Sequence, residues 1–377
     1  MKKINIAFCL RDMQIGGVES VLIRTLNALL NQQDVVIHVI TYVDIHEDVY
    51  KRYFAEHPEI KLCSLYPCQW LGTKLPHFFL WRLFMHFVRD IYRSCKRFFV
   101  MKKLKDIDVF IDYHDMDFVG ELKKIKSAKK IAWFHSSLGV FIKQKFVNRL
   151  KFYDKLVVLT DGCANDLMTL CPQYSSKIIR IYNPIDVDNI KSVADKKPVL
   201  KGRYFCSVSR LSGDKDIKTL LNAFDLFWQK NKGPDVKLVL VGDGNKADEY
   251  KKYAHSLKSY EHIMFVGMQN NPFVYMRHAL ANILSSYGEG FALVLVEAAA
   301  VGTLNIASNC KYGPKEILLN GRSAMLFEPG NYLQLAKCMD DVYNKKVDVP
   351  AMIKEMDASL NRFETKTIIK EIKSLFL

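Results

Sequence analysis

A chain of 377 residues, 49% hydrophobic and 25% charged, fits an ordinary soluble globular protein with two or three domains and room for a sizeable core in each. Its formal charge of +15 leaves three classes of acidic partner: nucleic acid, an anionic membrane surface, or a phosphorylated substrate. The nine cysteines are scattered among apolar neighbours with no C-x-x-C pair and no histidine-paired spacing, which argues against a zinc site or a disulfide framework and for a reducing cytoplasm.

The chain opens directly on a strand, without a signal-peptide pattern, and no apolar run is long enough to span a bilayer. Strand patterns fall at residues 4–9, 35–41, 109–113, 130–134 and 156–160, with helical periods such as 20–30 between them. Asn183-Pro184-Ile185-Asp186 and the polar, Lys-rich stretch to Lys201 then read as a hinge or linker. Strand patterns resume at 204–207, 237–241, 262–266, 281–284 and 304–307, with helices at 218–228 and 332–343 and a last helical segment at 362–377. Alternation of this kind predicts parallel sheets covered by helices on both faces, and it occurs twice. The expected fold is therefore α/β, with two Rossmann-like domains facing each other across a cleft, where ligands usually bind. The expected boundaries are 1–185, 186–360 and a C-terminal helix at 361–377.

Residues 75–105 stand apart. Helical spacing places Arg82, Arg89, Arg93, Lys96 and Arg97 in one broad sector and Phe78, Leu83, Phe84, Phe87, Val88 and Ile91 in the other. Asp90 is the one acidic residue of the segment. An aromatic face opposite a cationic one is the pattern of an interfacial amphipathic helix, in which each basic residue near an anionic leaflet contributes about 1 kcal/mol. The alternative is an ordinary surface helix whose aromatics belong to the core.

The densest chemical signal lies between Ser286 and Gly302. Glu289 and Glu297 bracket a short apolar run, and Gly288 and Gly290 flank the first carboxylate. The glycines allow a tight turn where backbone approaches a ligand, and a helix over 293–301 points its unpaired N–H groups and positive dipole at that turn. An anion such as phosphate is the natural occupant. A glycosidase pair of carboxylates is the rival chemistry. It needs oxygens roughly 5–10 Å apart, whereas eight helical positions span about 12 Å. The glycines make a helix at Glu289 improbable, so spacing leaves that rival open.

Other candidates sit at strand ends. Arg210 and Lys215 occupy the loop after a strand, where two cations can clamp a diphosphate. Gly16-Gly17-Val18-Glu19 follows the first strand and lets a phosphate approach the backbone. His135 ends the strand at 130–134 and would face the cleft. Gly242-Asp243-Gly244 is a βα turn, and Gly313-Pro314 starts a helix in which Glu316 favours the dipole. Asp115-Met116-Asp117 forms a D-x-D in the first half, after a strand in the wrong domain for a metal-held diphosphate, and no metal is expected.

These residues carry a resemblance. Glu289 and Glu297 resemble the E-x7-E motif of retaining glycosyltransferases of family 4, which have the GT-B fold. Arg210 and Lys215 are similar to that family's R-x4-K, residues 16–19 to its G-G-x-E, and residues 313–318 to the G-P-x-E-I-L stretch of its capsule and O-antigen branch. Two departures are visible: Asp216 stands where a glycine usually follows the lysine, and Ala292 replaces the last glycine of E-G-F-G. The resemblance covers most of the chain. It implies a catalytic set of His135, Glu289, Arg210 and Lys215, with His135 and Glu289 at the donor sugar. It implies that Gly16, Gly17, Arg210, Lys215, Gly290, Phe291, Ala292 and Leu293 hold the diphosphate, that Glu297 holds the ribose, and that Gly242 lines the base.

The implied activity is metal-independent transfer, without a cofactor, of a hexose or N-acetylhexosamine from a nucleotide diphosphate sugar, UDP by the G-P-x-E-I-L likeness. The leaving phosphate takes the acceptor's proton in a front-face displacement. The acceptor would be a lipid-linked saccharide of bacterial surface polysaccharide biosynthesis, and the enzyme would be cytoplasmic and peripheral on the inner face of the membrane. The family's C-terminal helix returns to the first domain, and residues 182–186 match its hinge. A sugar phosphorylase or a nucleotide-sugar epimerase on the same fold is the alternative enzyme. A nucleic-acid-binding role rests on charge alone, since no RRM, KH or zinc pattern accompanies it.

Overall fold

The computed structural model describes residues 3–66, 104–123, 128–136 and 144–376, with residues 87–88, 91–92, 94–95, 98, 125 and 138 between them. Most of the expected interfacial helix at 75–105 lies outside the described residues. The chain divides into two units. One comprises 1–158, 166–181 and 369–377, and the other 159–165 and 182–368.

Among the described residues, the first unit holds seven strands: β1 Ile4–Leu10, β2 Val35–Val43, β3 Lys61–Tyr66, β4 Val109–Asp112, β5 Lys129–Trp133, β6 Lys155–Val158 and β7 Ile178–Arg180. Their order is β3-β2-β1-β4-β5-β6-β7, and the pairings are parallel. A sheet buried on both faces demands continuous apolar strands, and Ile6 to Leu10 in central β1 are all buried. The helix Gly17–Leu30 covers one face through Val21, Leu22, Leu26 and Leu29.

The second unit holds β8 Arg203–Val208, β9 Val236–Val241, β10 Ile263–Gly267, β11 Asn282–Leu284, β12 Asn305–Ser308 and β13 Ala324–Phe327, in the order β10-β9-β8-β11-β12-β13, again parallel. The helix Ile217–Lys230 packs Leu220, Leu221, Phe224 and Phe227 into this core. Both sheets are doubly wound, as expected. In each, strand order reverses at a switch point, β1/β4 and β8/β11, and the loops leaving such strands are where ligands bind in this architecture.

Among the described residues, three strands escaped the sequence pattern: β3, β7 and β13. All lie at sheet edges, and β7 is only three residues long. An edge strand needs neither a continuous nor a strictly alternating apolar run. The stretch read as linker also differs, because it contains the helix Val187–Ala194, which buries Val187, Ile190 and Ala194. Asp186 caps it by accepting the N–H of Asn189 at 3.0 Å. The flanking lysines hide this short amphipathic pattern. The last segment is a 3-10 turn, Leu360–Phe363, followed by the helix Thr365–Ser374. Within the first unit Lys373 lies 2.8 Å from Asp34, and Arg180 3.6 Å from Glu371.

Candidate functional site

Two loops leave the β8/β11 switch point of the second unit side by side. After β8 come exposed Arg210 and a 3-10 turn, Gly213–Lys215. After β11 come Ser285 to Ala292 and then the helix Leu293–Ala300. The loops are tied together. Ser285 Oγ donates to the carbonyl of Lys215 at 2.8 Å, and Tyr287 N–H to that of Asp214 at 2.9 Å. Across them, Lys215 Nζ lies 2.7 Å from Glu289 Oε1, with side chains only 16% and 11% exposed. Ser286 Oγ donates to the same oxygen at 2.5 Å. Cys310 is buried nearby; burial, then the Glu289 charge, pushes its thiol up to about 11, so it stays protonated.

The turn Gly290–Phe291–Ala292 opens the helix. Among the described residues no side chain caps it, and its first internal bond is Leu295 N–H to the Ala292 carbonyl at 3.1 Å. Its first amides and the positive end of its dipole are thus available to an anion beside Lys215. Glu297 lies one turn further along, half-buried.

Both departures from glycine adopt the left-handed conformation that glycine serves best: φ is +70° at Ala292 and +45° at Asp216. Asp216 compensates, since its carboxylate accepts the N–H of Thr219 at 3.3 Å and caps the helix Ile217–Lys230. Ala292 has no such return. A left-handed L-residue costs about 1–2 kcal/mol, and added glycine freedom in the unfolded chain takes back about 0.4–1. Ala292→Gly should therefore stabilise the protein by roughly 0.5–1 kcal/mol. Asp216→Gly should change little, because a lost cap costs about 1 kcal/mol. Urea titration of both variants checks this, and a loss of stability in Ala292→Gly would contradict the strain argument.

Gly242 opens the turn that follows β9. Its φ is +131°, and a Cβ there would stand 2.0 Å from the Ser209 carbonyl oxygen; a Cβ on Gly244 would stand 2.5 Å from that of Leu211. Leu211 N–H donates to Asp243 O, and Lys246 N–H to Leu211 O, both at 2.9 Å. The β9 loop therefore backs the Arg210 loop through direct backbone contact.

The first unit carries the other candidates. Gly16 caps the helix Gly17–Leu30 in extended conformation, and a Cβ on it would come 2.8 Å from Glu19 Oε2. His135, 9% exposed, follows β5 and packs its ring 4.5 Å from Tyr113 and parallel to Trp133. Burial, then the charge of His114, lowers its pKa to about 3, so the imidazole is neutral. Its Nε2 has no hydrogen-bond partner among the described residues. Asp115 receives the His135 N–H at 3.0 Å and Ser136 Oγ at 2.8 Å. Asp112 is buried, its carboxyl pushed up to about 8, bonded to Tyr153 Oη and Phe118 N–H. The acidic run at 112–117 is thus engaged with neighbouring protein groups. Among the described residues no group of three or more His, Cys, Asp or Glu side chains could hold a metal ion.

The second unit therefore brings together Arg210, Lys215, Gly242, Glu289, Gly290, Phe291, Ala292, Leu293 and Glu297, while Gly16, Gly17 and His135 belong to the first. Ser286 and Cys310 were not foreseen, because nothing local marks a serine or a buried thiol as part of a site.

Residues 189–359 match the family model described as Glycosyl transferases group 1. An uncharacterized glycosyltransferase of Haemophilus influenzae is 26% identical over 352 residues, covering 91% of each chain. The N-acetylgalactosamine-N,N'-diacetylbacillosaminyl-diphospho-undecaprenol 4-alpha-N-acetylgalactosaminyltransferase of Campylobacter jejuni is 29% identical over 182 residues; that match spans about half of each chain, 48%. Among solved structures, Anabaena HepE in complex with UDP and glucose superposes with a TM-score of 0.76 at 18% identity, covering 98% of both chains. The fold is GT-B.

Proposed function

We propose that this chain, a GT-B-fold glycosyltransferase related to those of bacterial surface polysaccharides, moves a hexose or N-acetylhexosamine from a UDP-sugar to a saccharide acceptor with retention of configuration. The observation that carries this reading is the Lys215–Glu289 pair set at the uncapped start of the helix Leu293–Ala300. Lys215, Arg210 and the amides from Gly290 to Leu293 stabilise the departing diphosphate, with the Gly17 backbone as a further donor. This is preorganised electrostatic catalysis, which uses fixed cations and dipoles. Glu289 receives hydroxyls of the donor sugar and Glu297 those of the ribose. His135 offers the sugar a neutral ring nitrogen.

As the bond between the anomeric carbon and the phosphate oxygen breaks, the acceptor oxygen bonds that carbon from the same face. The acceptor's proton passes to the departing phosphate oxygen, and nucleoside diphosphate leaves. Residues 182–186 act as the hinge for closure in this reading.

The acceptor is lipid-linked in this reading, and the segment at 75–105 holds the enzyme at an anionic leaflet. Its described residues Phe87, Val88, Ile91, Tyr92 and Phe98 are helical and expose their apolar side chains, and the Campylobacter relative's name includes an undecaprenol-linked acceptor. No helix among the described residues is long and apolar enough to cross a membrane. Thermal unfolding with a panel of nucleoside diphosphates, followed by transfer assays on anionic vesicles, tests the whole. UDP at a hundred times its Kd should add about 2.7 kcal/mol, and vesicles carrying a lipid-linked saccharide should accelerate transfer. If no nucleoside diphosphate shifts the transition, the reading is wrong.

A further inference from the structure

The Gly313-Pro314-Lys315-Glu316 run has no part in the chemistry above, yet it backs the anion-binding turn. At the end of β12, Ser308 Oγ donates to the Ser286 carbonyl at 2.6 Å. Gly288 and Lys311 form an isolated parallel bridge. Gly313 has φ +77°, and a Cβ there would stand 2.5 Å from the Phe291 carbonyl oxygen and 2.9 Å from its carbon. Backbone 308–313 therefore runs beneath backbone 286–291, in contact at both ends.

Glu316 follows at once. Its carboxylate accepts the N–H of Asp161 at 2.9 Å, the N–H of Gly162 at 3.3 Å and the hydroxyl of Tyr182 at 2.8 Å. Asp161 and Gly162 lie in the segment 159–165, and Tyr182 opens the segment 182–368. One carboxylate thus holds both stretches by which the chain enters the second unit. The Tyr182 ring lies 5.8 Å from that of Phe291 and 5.0 Å from that of Phe363. Arg362 donates to the carbonyls of Glu316 and Ile317 at 3.2 and 2.6 Å. Phe291 of the anion-binding turn and Glu316 meet on the same tyrosine.

We propose that Glu316, acting through Tyr182, is a positioning residue that fixes the Phe291 turn against the two chain entries of its own unit. The inference rests on the reading of that turn as the diphosphate site. A turn free to shift still binds a ground-state diphosphate by adapting to it, but it loses the preorganisation that matters when charge develops on the leaving group. The effect therefore belongs in kcat rather than in KM.

Tyr182→Phe keeps the ring and removes the hydroxyl, and Glu316→Gln keeps one acceptor where a carboxylate offers two. Tyr182→Phe should lower kcat about tenfold, equivalent to about 1.4 kcal/mol, with KM for UDP-sugar within about twofold. The double variant should be little worse than Glu316→Gln alone, because the two changes break one link. UDP binding by the unaltered protein is measured first by calorimetry. No binding overturns the reading of the turn, and this inference with it. Binding accompanied by an unchanged kcat in Tyr182→Phe, even with a lower Tm, overturns only the inference. Should Glu316→Gln fail to fold, Tyr182→Phe alone decides.

Discussion

Lys215→Ala is expected to abolish sugar transfer and weaken UDP binding, whereas Glu289→Gln abolishes transfer and leaves UDP binding intact or tighter. The asymmetry follows from the pair's geometry. Lys215 and Glu289 share a 2.7 Å ion pair with both side chains largely withdrawn from water. On the proposed mechanism, removing the lysine takes away the cation set against the departing diphosphate, worth about 10²–10³ in kcat for a single preorganised donor. It also leaves the Glu289 carboxylate with Ser286 as its hydrogen-bond donor, so an unbalanced charge faces an incoming dianion. Such an unpaired, desolvated charge is costly. The glutamine variant has the same shape, no longer competes with phosphate for the Lys215 ammonium, and still accepts from Ser286. On the same proposal it does lose the charge that receives the sugar hydroxyls as the anomeric carbon becomes electron-poor. Single-turnover rates and UDP calorimetry on both variants separate these effects. Turnover by Lys215→Ala within tenfold of the unaltered enzyme would remove the lysine from the chemistry.

How much of this was legible in sequence depends on distance along the chain. The strands nearest each switch point announce themselves through short runs, such as Val236–Val241, whose residues are almost all buried. The glycine-flanked Glu289 and the cations of the β8 loop are also local patterns. The contacts that give these residues meaning are not local. Lys215 and Glu289 are 74 positions apart, and Glu316 meets Asp161 across 155. From the sequence, Glu316 reads as support for its own helix; in the structure its carboxylate serves the start of another, Asp161–Leu170. Gly242 reads as part of a βα turn, and the sequence does not show that a side chain there would meet the Ser209 carbonyl. In each case the residue type was informative and its partner was not, because the partner is set by sheet order.

Asp340→Asn should destabilise the second unit by about 2–3 kcal/mol at pH 7 without slowing transfer. The Asp340 side chain, 4% exposed, accepts from Lys230 at 3.2 Å, Asn231 at 3.0 Å, Asn344 at 2.8 Å and Lys346 at 2.7 Å. It thereby joins the C-terminal end of the helix Ile217–Lys230 to that of the helix Tyr332–Tyr343. Burial alone would raise its pKa, but the hydrogen bonds from Lys346, Asn231 and Lys230 outweigh it and hold the carboxyl down at about 2. Against an ordinary value of about 3.9, a folded value near 2 contributes about 2.6 kcal/mol. A carboxylate depressed on folding stabilises above its unfolded pKa and loses that contribution as pH falls through the folded one. The gap between the unaltered protein and the asparagine variant should therefore be full at pH 7 and about halved by pH 3. Asparagine also turns an amide donor toward groups that are themselves donors, so rearrangement does not restore the cluster. Urea titrations at pH 7, 5 and 3 check the sign, and a gap that stays constant over that range would show that the charge contributes nothing. Lys215 lies before the opposite end of the same 14-residue helix, about 20 Å away. The kcat of the folded variant should therefore stay within about twofold of the original, since well-separated sites contribute independently.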